Sequence, residues 1–523
     1  MQNIVDIENK LNIDENYVEN YGKYKAKIDS NYYSTLNNKK NGKLILVTAT
    51  NPTPFGEGKT TQTIGLSMAL NKLNKSSICV LREPSLGPVF GIKGGAIGGG
   101  KSTVEPQEDI NLHFNGDFHA ITSANNLICA AISNHIFQGN ALNIDENNIC
   151  IKRVIDMNDR ALRNIAISND GILKKKNINT SFELTVASEL MAIFCLSNSK
   201  EELKNKLDKM IIAYSLTNTP IYLKDLKITN AVLALTKDVL SPNLVQTSEN
   251  TPAIVHLGPF ANIAHGCNSI IATKTALKLS DFVVTEAGFG ADLGFEKFID
   301  IKCRNNDIKP DVVVLVTSIR ALKYNGKDNL NIGIFNLKRH IENIKSFNLD
   351  VVVCINKFDL DNEYDIQFVK DFCLKQDVKC VTSNCFNEGS LGVIDLANTI
   401  LDILDNQTKE KDILFPYNLE DSIEEKVYKI VTKIYKGASV KYTKEAKEKI
   451  SNITKLNFSN LPICIAKTPL SFSDNKDLLG TPKNFQVSVT DVRLNSGAGF
   501  ITIYMGKVLT MPGLPKTPNF ENF

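Results

Sequence analysis

The sequence has little net charge, no C-x-x-C cysteine pair and no long hydrophobic run. Its formal net charge is only +3 over 523 residues, which gives no indication of binding to nucleic acid or to an anionic membrane. The 11 cysteines are scattered and odd in number, a pattern typical of reduced thiols rather than of a disulfide framework. Apolar runs are only as long as strands, and the N-terminus has no hydrophobic signal region. We therefore predict a cytoplasmic protein without a membrane span.

A glycine-rich loop between a predicted strand and a predicted helix is the most informative motif. The apolar run Leu44–Val47 predicts a buried strand, and apolar residues from Leu66 to Leu73 recur at helical spacing. A strand, a glycine loop, Lys-Thr and a helix are the context of a P-loop, whose backbone N–H groups hold a phosphate. Lys59 would neutralise the outer phosphates, and the Thr60 hydroxyl would bind Mg²⁺. The residues of this predicted phosphate loop are Thr53, Pro54, Phe55, Gly56, Glu57, Gly58, Lys59, Thr60 and Thr61.

Further apolar runs alternate with helical patterns along the chain. This alternation predicts an α/β protein of the P-loop NTPase type, with a doubly wound, mostly parallel sheet and additional smaller α/β and C-terminal domains. We predict domains at residues 1–345, 346–460 and 461–523. In such sheets, ligands bind at the carboxyl ends of the strands, so the residues after each run are candidates for the site. The runs are Ile78–Leu81, Phe282–Thr285, Val312–Val316 and Val351–Ile355.

Charged residues at two places in the sequence are candidates for the site. Arg82 and Glu83 come directly after Ile78–Leu81, a strand that we expect to neighbour the P-loop strand. The Arg82 guanidinium could hold an anion with two parallel hydrogen bonds, and a salt bridge to Glu83 is the alternative. Further on, Asp117 stands between His113 and His119. These histidines lack the spacing of a helical zinc pair, so we favour a catalytic or Mg²⁺-water role for Asp117 over a zinc site.

Other short motifs leave alternatives open. The stretch Gly91–Gly100 is compatible with a phosphate-binding loop, a mobile flap or a compact turn. Asn356–Asp359 matches the N-K-x-D motif that reads guanine in GTPases. Combined with a P-loop, it keeps a GTPase or partitioning-type ATPase as a competing interpretation. Against it, about 300 residues separate the two motifs, roughly twice the length of a usual GTPase domain.

Taken together, the motifs resemble those of formate–tetrahydrofolate ligases. They occur in order over nearly the whole chain, which makes the resemblance very specific. It also accounts for Thr53, which replaces the usual first P-loop glycine, because the family's loop reads P-T-P-x-G-E-G-K-T. The motifs are Tyr21–Lys27, Asn51–Pro54, Gly56–Thr61, Arg82–Pro88, Glu108–His113, Gly116–Ile121, Met157–Arg163, Phe260–Asn268, Glu286–Gly294, Arg320–Lys323, Gly497–Phe500 and Thr510–Lys516.

The resemblance implies ligation of formate to tetrahydrofolate, giving 10-formyltetrahydrofolate, ADP and phosphate. ATP would first phosphorylate formate, and the N10 amine of tetrahydrofolate would then attack the formyl carbon of formyl phosphate. By resemblance, Lys59 and Thr60 hold the ATP phosphates and Mg²⁺. Arg82 would hold formyl phosphate and be oriented by Glu83, and Asp117 would accept the proton of N10.

The resemblance also assigns roles to other parts of the chain. The loop Gly288, Phe289 and Gly290 would supply N–H groups to formyl phosphate. Residues 1–345 would bind nucleotide and formyl phosphate, and residues 346–460 would contribute the folate-binding aromatics. Family members are homotetramers activated by a monovalent cation, K⁺ or NH₄⁺, so we expect both properties. We expect small-molecule substrates and no nucleic-acid or membrane partner.

Two aromatic side chains are expected to sandwich the pterin ring of the folate. One is Phe358, which lies inside the N-K-x-D match. The resemblance therefore interprets Asn356–Asp359 as a folate motif and not as a guanine motif. The other is usually a tryptophan, but this chain has none, and the matching residue is Phe386. Because a phenyl ring covers less area than an indole, we expect weaker or altered folate binding.

Two departures from the family's pattern lie close to these motifs. Leu257 stands where the family usually has the second glycine of H-G-G-P, and Gln62 replaces the third threonine after the P-loop lysine. Neither removes a phosphate or formate ligand. A folate-binding relative without catalysis is a further alternative, and the presence of Lys59, Arg82 and Asp117 argues against it.

Overall fold

The computed structural model describes residues 1–54, 56–91, 97–170, 175–408, 411–506 and 508–522. Its strands are β1 Val18–Asn20, β2 Ala26–Ile28, β3 Lys43–Ala49, β4 Ser77–Leu81, β5 Gly98–Gly99, β6 Ser102–Glu105, β7 Ile144–Ile149, β8 Val154–Ile155, β9 Ile165–Asp170, β10 Lys175–Thr180, β11 Glu183–Leu184, β12 Ile211–Ser215, β13 Pro220–Tyr222, β14 Asn243–Thr247, β15 Pro252–Val255, β16 Phe282–Glu286, β17 Val312–Thr317, β18 Val351–Asn356, β19 Cys380–Ser383, β20 Ser439–Tyr442, β21 Ile463–Ala466, β22 Gln486–Asn495 and β23 Phe500–Met505.

The α-helices are α1 Ile4–Lys10, α2 Tyr32–Thr35, α3 Lys59–Lys72, α4 Leu86–Phe90, α5 Gln107–Asn111, α6 Asp117–Phe137, α7 Glu189–Cys195, α8 Lys200–Asp208, α9 Thr229–Leu235, α10 Ile270–Leu279, α11 Ile319–Asn325, α12 Leu330–Ser346, α13 Glu363–Lys375, α14 Cys385–Glu388, α15 Ile394–Asp405, α16 Ile423–Ile430 and α17 Lys444–Lys455. π-Helical turns span Ala291–Phe295, Phe298–Cys303 and Val431–Tyr435. Within the described ranges, no helix is long and apolar enough to cross a membrane.

One large sheet organises the described part of the chain. Its strand order is β1-β2-β14-β15-β4-β16-β3-β17-β18-β19, with β6 paired to β14 and β5 to β6. All neighbours from β15 to β19 run parallel. The pairs at the other edge, which involve β1, β2, β6 and β14, are antiparallel. The predicted mixed α/β fold with a large, mostly parallel sheet is confirmed.

Helices cover both faces of the parallel strands. Along β3, Leu44 and Leu46 join one buried cluster, which includes apolar residues of α10 and α12. The alternate residues Ile45 and Val47 join a second cluster with α3 and α15. Successive side chains of a strand point to opposite faces, so a strand that is apolar throughout must be covered on both sides. This explains why unbroken Val/Ile/Leu runs predicted these strands correctly.

The predicted position of β4 is wrong. We expected this strand to neighbour the P-loop strand β3, but β16 lies between them. Val284 of β16 pairs with Ile45 on one side and with Cys79 on the other. Strands that follow one another along the chain are neighbours only about two-thirds of the time. Here, a strand that comes roughly 200 residues later is inserted between two early ones.

Strands also pair across both predicted domain boundaries. β18 follows the boundary at 345/346 and pairs with β17, which precedes it. β20 precedes the boundary at 460/461 and pairs with β22 of a separate four-stranded sheet, in the order β20-β22-β23-β21. The segments on either side of each limit are thus connected by strand pairing. The domain limits 1–345, 346–460 and 461–523 stay predictions.

A buried ion pair connects the C-terminal segment to the main sheet. Lys467 Nζ lies 2.8 Å from Asp292 Oδ2, and neither side chain is exposed. The other oxygen, Asp292 Oδ1, accepts a hydrogen bond from Asn51 Nδ2 at 3.2 Å. Asn51 is the second residue after the P-loop strand. The pair thus joins three segments that are distant in sequence next to the candidate site.

We expect Lys467→Met to lower the free energy of unfolding by about 3–5 kcal/mol, because it leaves the Asp292 carboxylate buried without its cation. The measurement is urea unfolding followed by circular dichroism. The double variant Asp292→Asn/Lys467→Met, which buries no charge, should recover most of the loss. A double variant as unstable as Lys467→Met would show that the charge pair is not the cause.

Candidate functional site

The predicted phosphate loop lies between β3 and α3, at the carboxyl edge of the sheet. Three of its successive carbonyl oxygens accept hydrogen bonds from outside the loop. The pairs are Arg320 Nη2 to Gly56 O at 3.3 Å, Asn356 Nδ2 to Glu57 O at 3.2 Å and Gln62 N to Gly58 O at 2.9 Å. Because a trans peptide is planar, its N–H points away from its carbonyl. The N–H groups of Glu57, Gly58 and Lys59 therefore face the other side of the loop, as in an anion-binding nest.

The Glu57 side chain braces this loop from within. Glu57 Oε1 accepts hydrogen bonds from Thr53 N at 2.9 Å and from Thr53 Oγ1 at 2.8 Å, and Oε2 accepts one from Ser318 Oγ at 3.3 Å. The structure thus gives Thr53, which replaces the usual first glycine, a part in fixing the shape of the loop. Pro54 is exposed, and Phe55 lies outside the described residues.

A carboxylate lies beside the loop's Lys-Thr pair. Glu286 is the last residue of β16 and is 2% exposed, and its Oε2 accepts a hydrogen bond from Thr60 Oγ1 at 2.9 Å. Burial lowers the pKa of Lys59, and Glu286 and Glu57 act against this, whereas Arg82 lowers it further. A hydroxyl and a carboxylate oxygen at a phosphate loop are suitable ligands for Mg²⁺. The sequence placed Glu286 among the candidates for the site, because it directly follows the run Phe282–Thr285, but assigned it no role.

Two glycines leave room around Arg82. A Cβ on Gly258 would lie 3.2 Å from Arg82 Cβ and 2.8 Å from Glu83 O. A Cβ on Gly288 would lie 3.6 Å from Arg82 Nη1. The structure therefore places the predicted Gly288–Gly290 loop against the Arg82 guanidinium. The same loop is closely packed from behind, since a Cβ on Gly294 would lie 1.4 Å from Gly288 O.

Several buried polar atoms near Arg82 have no hydrogen-bond partner within the described residues. Arg82 Nε and Glu83 Oε2 are among them, so these two atoms do not form the alternative salt bridge. An unsatisfied buried polar atom costs about 1–3 kcal/mol, so a polar ligand that pairs with these atoms would recover that cost. Atoms without a partner in the segments 260–268 and 286–294 are Asn262 Oδ1, His265 Nδ1, His265 Nε2 and Glu286 Oε1.

Asp117 forms a buried ion pair that the sequence did not indicate. Lys27 Nζ lies 2.8 and 2.9 Å from the two Asp117 oxygens, and both side chains are 2% exposed. Asn243 Nδ2 also donates to Asp117 Oδ2 at 2.8 Å. Lys27 and Asn243 are paired residues of β2 and β14, so the strand pairing places both donors at the N-terminus of α6. Burial and the nearby Asp117 raise the pKa of Glu83 well above its usual range, and Lys27 opposes this.

Phe358 lies in the loop after β18 and is covered on one face. The Arg320 guanidinium carbon is 3.5 Å from the centroid of the Phe358 ring. The backbone at Phe358 is fixed, because its N–H donates to Asp361 Oδ2 at 2.9 Å. Asn387 Nδ2 donates to Asp359 Oδ1 at 3.3 Å. This bond joins the Phe358 loop to α14, which carries Phe386, so the two predicted folate residues lie on adjacent segments.

Phe386 packs against the hairpin of β5 and β6 and remains 52% exposed. Its carbonyl accepts a hydrogen bond from Lys101 N at 2.8 Å. A Cβ on Gly99 would lie 3.0 Å from Phe386 Cε2, and one on Gly100 would lie 2.1 Å from Phe386 O. These glycines of the Gly91–Gly100 stretch therefore allow close contact with Phe386. Residues 92–96 of that stretch lie outside the described residues.

A model of the formate–tetrahydrofolate ligase family matches residues 1–523, the full length of the chain. The chain belongs to this family. Its members are ATP-dependent ligases of one-carbon metabolism, which join formate to tetrahydrofolate and give 10-formyltetrahydrofolate. The nucleotide-switch interpretation of Asn356–Asp359 is thereby replaced. In this ligase, Asn356 donates to the phosphate loop and accepts a hydrogen bond from Gln62 Nε2 at 3.0 Å.

Sequence reasoning assigned no role to four polar residues of this ligase site. Lys27, His265 and Arg320 belong to motifs of the family resemblance, and Glu286 begins another, but none of them received a role. His265 is fully buried, and burial with the nearby Lys302 and Lys297 lowers its pKa well below the usual range. No cluster of three or more His, Cys, Asp or Glu side chains suited to a metal occurs in the described ranges.

We expect Gly58→Ala to weaken Mg-ADP binding by about tenfold more than Gly56→Ala, as measured by titration calorimetry. Both glycines have φ +73°, but a Cβ on Gly58 would lie 2.6 Å from Asn356 Nδ2, whereas Gly56 has no atom within 4 Å. Gly56→Ala thus isolates the backbone strain, and Gly58→Ala adds displacement of Asn356. Equal losses would contradict the bracing role of Asn356.

Proposed function

We propose that the protein is a P-loop NTPase-type ligase that makes 10-formyltetrahydrofolate through a formyl phosphate intermediate. The observation that carries this proposal is the arrangement at the sheet edge. A phosphate loop with inward N–H groups lies near the half-buried Arg82, whose shielded Nε has no hydrogen-bond partner among the described residues. An anion held between Lys59 and Arg82 would be stabilised from both sides.

In the first step, an oxygen of formate attacks the γ-phosphorus of ATP, and the bond to the ADP oxygen breaks. Lys59 and the loop N–H groups hold the phosphates while charge moves to ADP. Arg82 and the Gly288–Gly290 loop position the formyl phosphate that forms. Phosphoryl transfer depends mainly on such positioning and electrostatic stabilisation.

The Thr60 hydroxyl and the Glu286 carboxylate would hold Mg²⁺ at the phosphate loop. When bound, this ion neutralises phosphate charge during transfer. The hydrogen bond between Thr60 and Glu286 holds the two oxygens together, and Glu286 Oε1, which has no hydrogen-bond partner among the described residues, could be a further ligand.

In the second step, N10 of tetrahydrofolate attacks the formyl carbon, and the carbon–oxygen bond to phosphate breaks. We propose that Asp117 accepts the N10 proton, with Lys27 and Asn243 holding the carboxylate in position through their hydrogen bonds. Glu83 has a raised pKa, which weakens it as a partner for Arg82 and leaves the guanidinium to an anionic substrate. Phe358 and Phe386 would stack on the pterin ring. The homotetramer, the cytoplasmic location and activation by K⁺ or NH₄⁺ stay predictions.

We expect the purified protein to make 10-formyltetrahydrofolate and ADP only when Mg-ATP, formate and tetrahydrofolate are all present. Arg82→Ala should reduce product formation by at least about 100-fold and leave Mg-ADP binding unchanged, because Arg82 serves the formyl phosphate and not the nucleotide loop. ADP release without formate, or unchanged turnover by Arg82→Ala, would overturn the mechanism. Folate binding without any turnover would favour the relative that lacks catalysis.

We expect Phe386→Trp to lower the KM for tetrahydrofolate by roughly two- to tenfold, because an indole covers more of the pterin than a phenyl ring. Steady-state kinetics at saturating ATP and formate measure this change. Phe386→Leu, which keeps an apolar side chain but removes the ring, should raise the same KM. If both variants keep the wild-type KM, Phe386 does not stack on the pterin.

A further inference from the structure

Arg320 contacts two parts of the site that would bind different substrates. It lies in the first turn of α11, directly after β17. Its guanidinium carbon lies 3.5 Å from the centroid of Phe358, well within the roughly 6 Å reach of a cation–π contact. Its Nη2 also donates to Gly56 O of the phosphate loop at 3.3 Å. One side chain therefore joins the proposed pterin platform to the loop that would hold ATP.

The stacking contact determines which face of Phe358 is available. A planar guanidinium at 3.5 Å covers one face of the ring. The loop backbone is fixed by reciprocal hydrogen bonds, from Phe358 N to Asp361 Oδ2 and from Asp361 N to Phe358 O, both at 2.9 Å. A pterin can therefore stack only on the opposite face, and Arg320 supports the ring from behind.

The contact with the phosphate loop acts on a single peptide. The Gly56 carbonyl and the Glu57 N–H belong to the same planar unit. A phosphate that accepts a hydrogen bond from the Glu57 N–H polarises this unit and makes Gly56 O a stronger acceptor for Arg320, because linked hydrogen bonds reinforce one another. Nucleotide binding would thus hold the guanidinium more firmly against Phe358.

We propose that Arg320 is a positioning residue that couples nucleotide binding in the phosphate loop to pterin binding on Phe358. This inference rests on the proposed function, in which the pterin stacks on Phe358. Arg320 touches the loop backbone and the ring, and we infer that it acts on the reaction through these two contacts. Because coupling between two sites is reciprocal, each substrate strengthens the binding of the other.

The test measures tetrahydrofolate affinity by titration calorimetry, with and without saturating Mg-ADP. In the wild type, we expect Mg-ADP to tighten tetrahydrofolate binding about fivefold or more. Arg320→Ala should abolish this tightening, so that the affinity ratio with and without Mg-ADP is lost. Arg320→Lys, which can still donate to Gly56 O but cannot stack as a plane, should retain only part of it. The control Lys338→Ala removes a surface cation on α12 that lies 3.9 Å from Glu342, and it should keep the wild-type ratio.

A second set of variants tests whether the ring carries the coupling. In a Phe358→Leu background, Arg320→Ala should no longer change tetrahydrofolate affinity, because the two residues act in series. Thermal unfolding of every variant reports whether the fold is retained. Should Arg320→Ala be too unstable to measure, Phe358→Leu alone must still lose the Mg-ADP effect.

The outcomes separate this inference from the proposed function. The role of Arg320 would be overturned if the wild type makes product but Arg320→Ala or Phe358→Leu shows the same Mg-ADP effect on tetrahydrofolate affinity as the wild type. A wild type that makes no product from formate, ATP and tetrahydrofolate would overturn the proposed function itself, which the product assay reports separately.

Discussion

The site depends on side chains that hold the phosphate loop from outside. A loop that binds an anion through its N–H groups must turn its carbonyls away, and buried carbonyls need donors of their own. Asn356 and Arg320 provide two of these donors, and the first turn of α3 provides the third. Because Asn356 ends β18 and Arg320 follows β17, the shape of the loop is set by the two strands beyond β3 in the sheet.

A second constraint is the burial of charged and polar atoms around Arg82. The site keeps Arg82 Nε, Glu83 Oε2 and both ring nitrogens of His265 out of water without partners in the described residues. Such atoms lower the stability of the empty protein. They also give a polar ligand more to gain on binding, and a ligand that binds only the folded state stabilises it in turn. Functional sites commonly contain such unfavourable groups, and their cost in stability is compensated elsewhere in the fold.

The sequence predicted the features that depend on local pattern. The strand at Leu44–Val47 and the helix from Lys59 follow from an apolar run and a helical period, and the structure contains both. It could not predict that β16 separates β4 from β3, because sheet order depends on contacts between distant segments. For the same reason the partners of Asp117 were missed. Lys27 lies 90 residues away in sequence and reaches Asp117 only through the pairing of β2 with β14.

The strand order also has a consequence for biosynthesis. The P-loop strand β3 ends at residue 49, but its two neighbours, β16 and β17, begin at residues 282 and 312. At a translation rate of about 5–20 residues per second, β3 leaves the ribosome roughly 10–50 s before its first neighbour exists. During that interval, an apolar strand must wait with both edges unpaired. The nascent chain therefore needs protection from aggregation until more than half of it has been made.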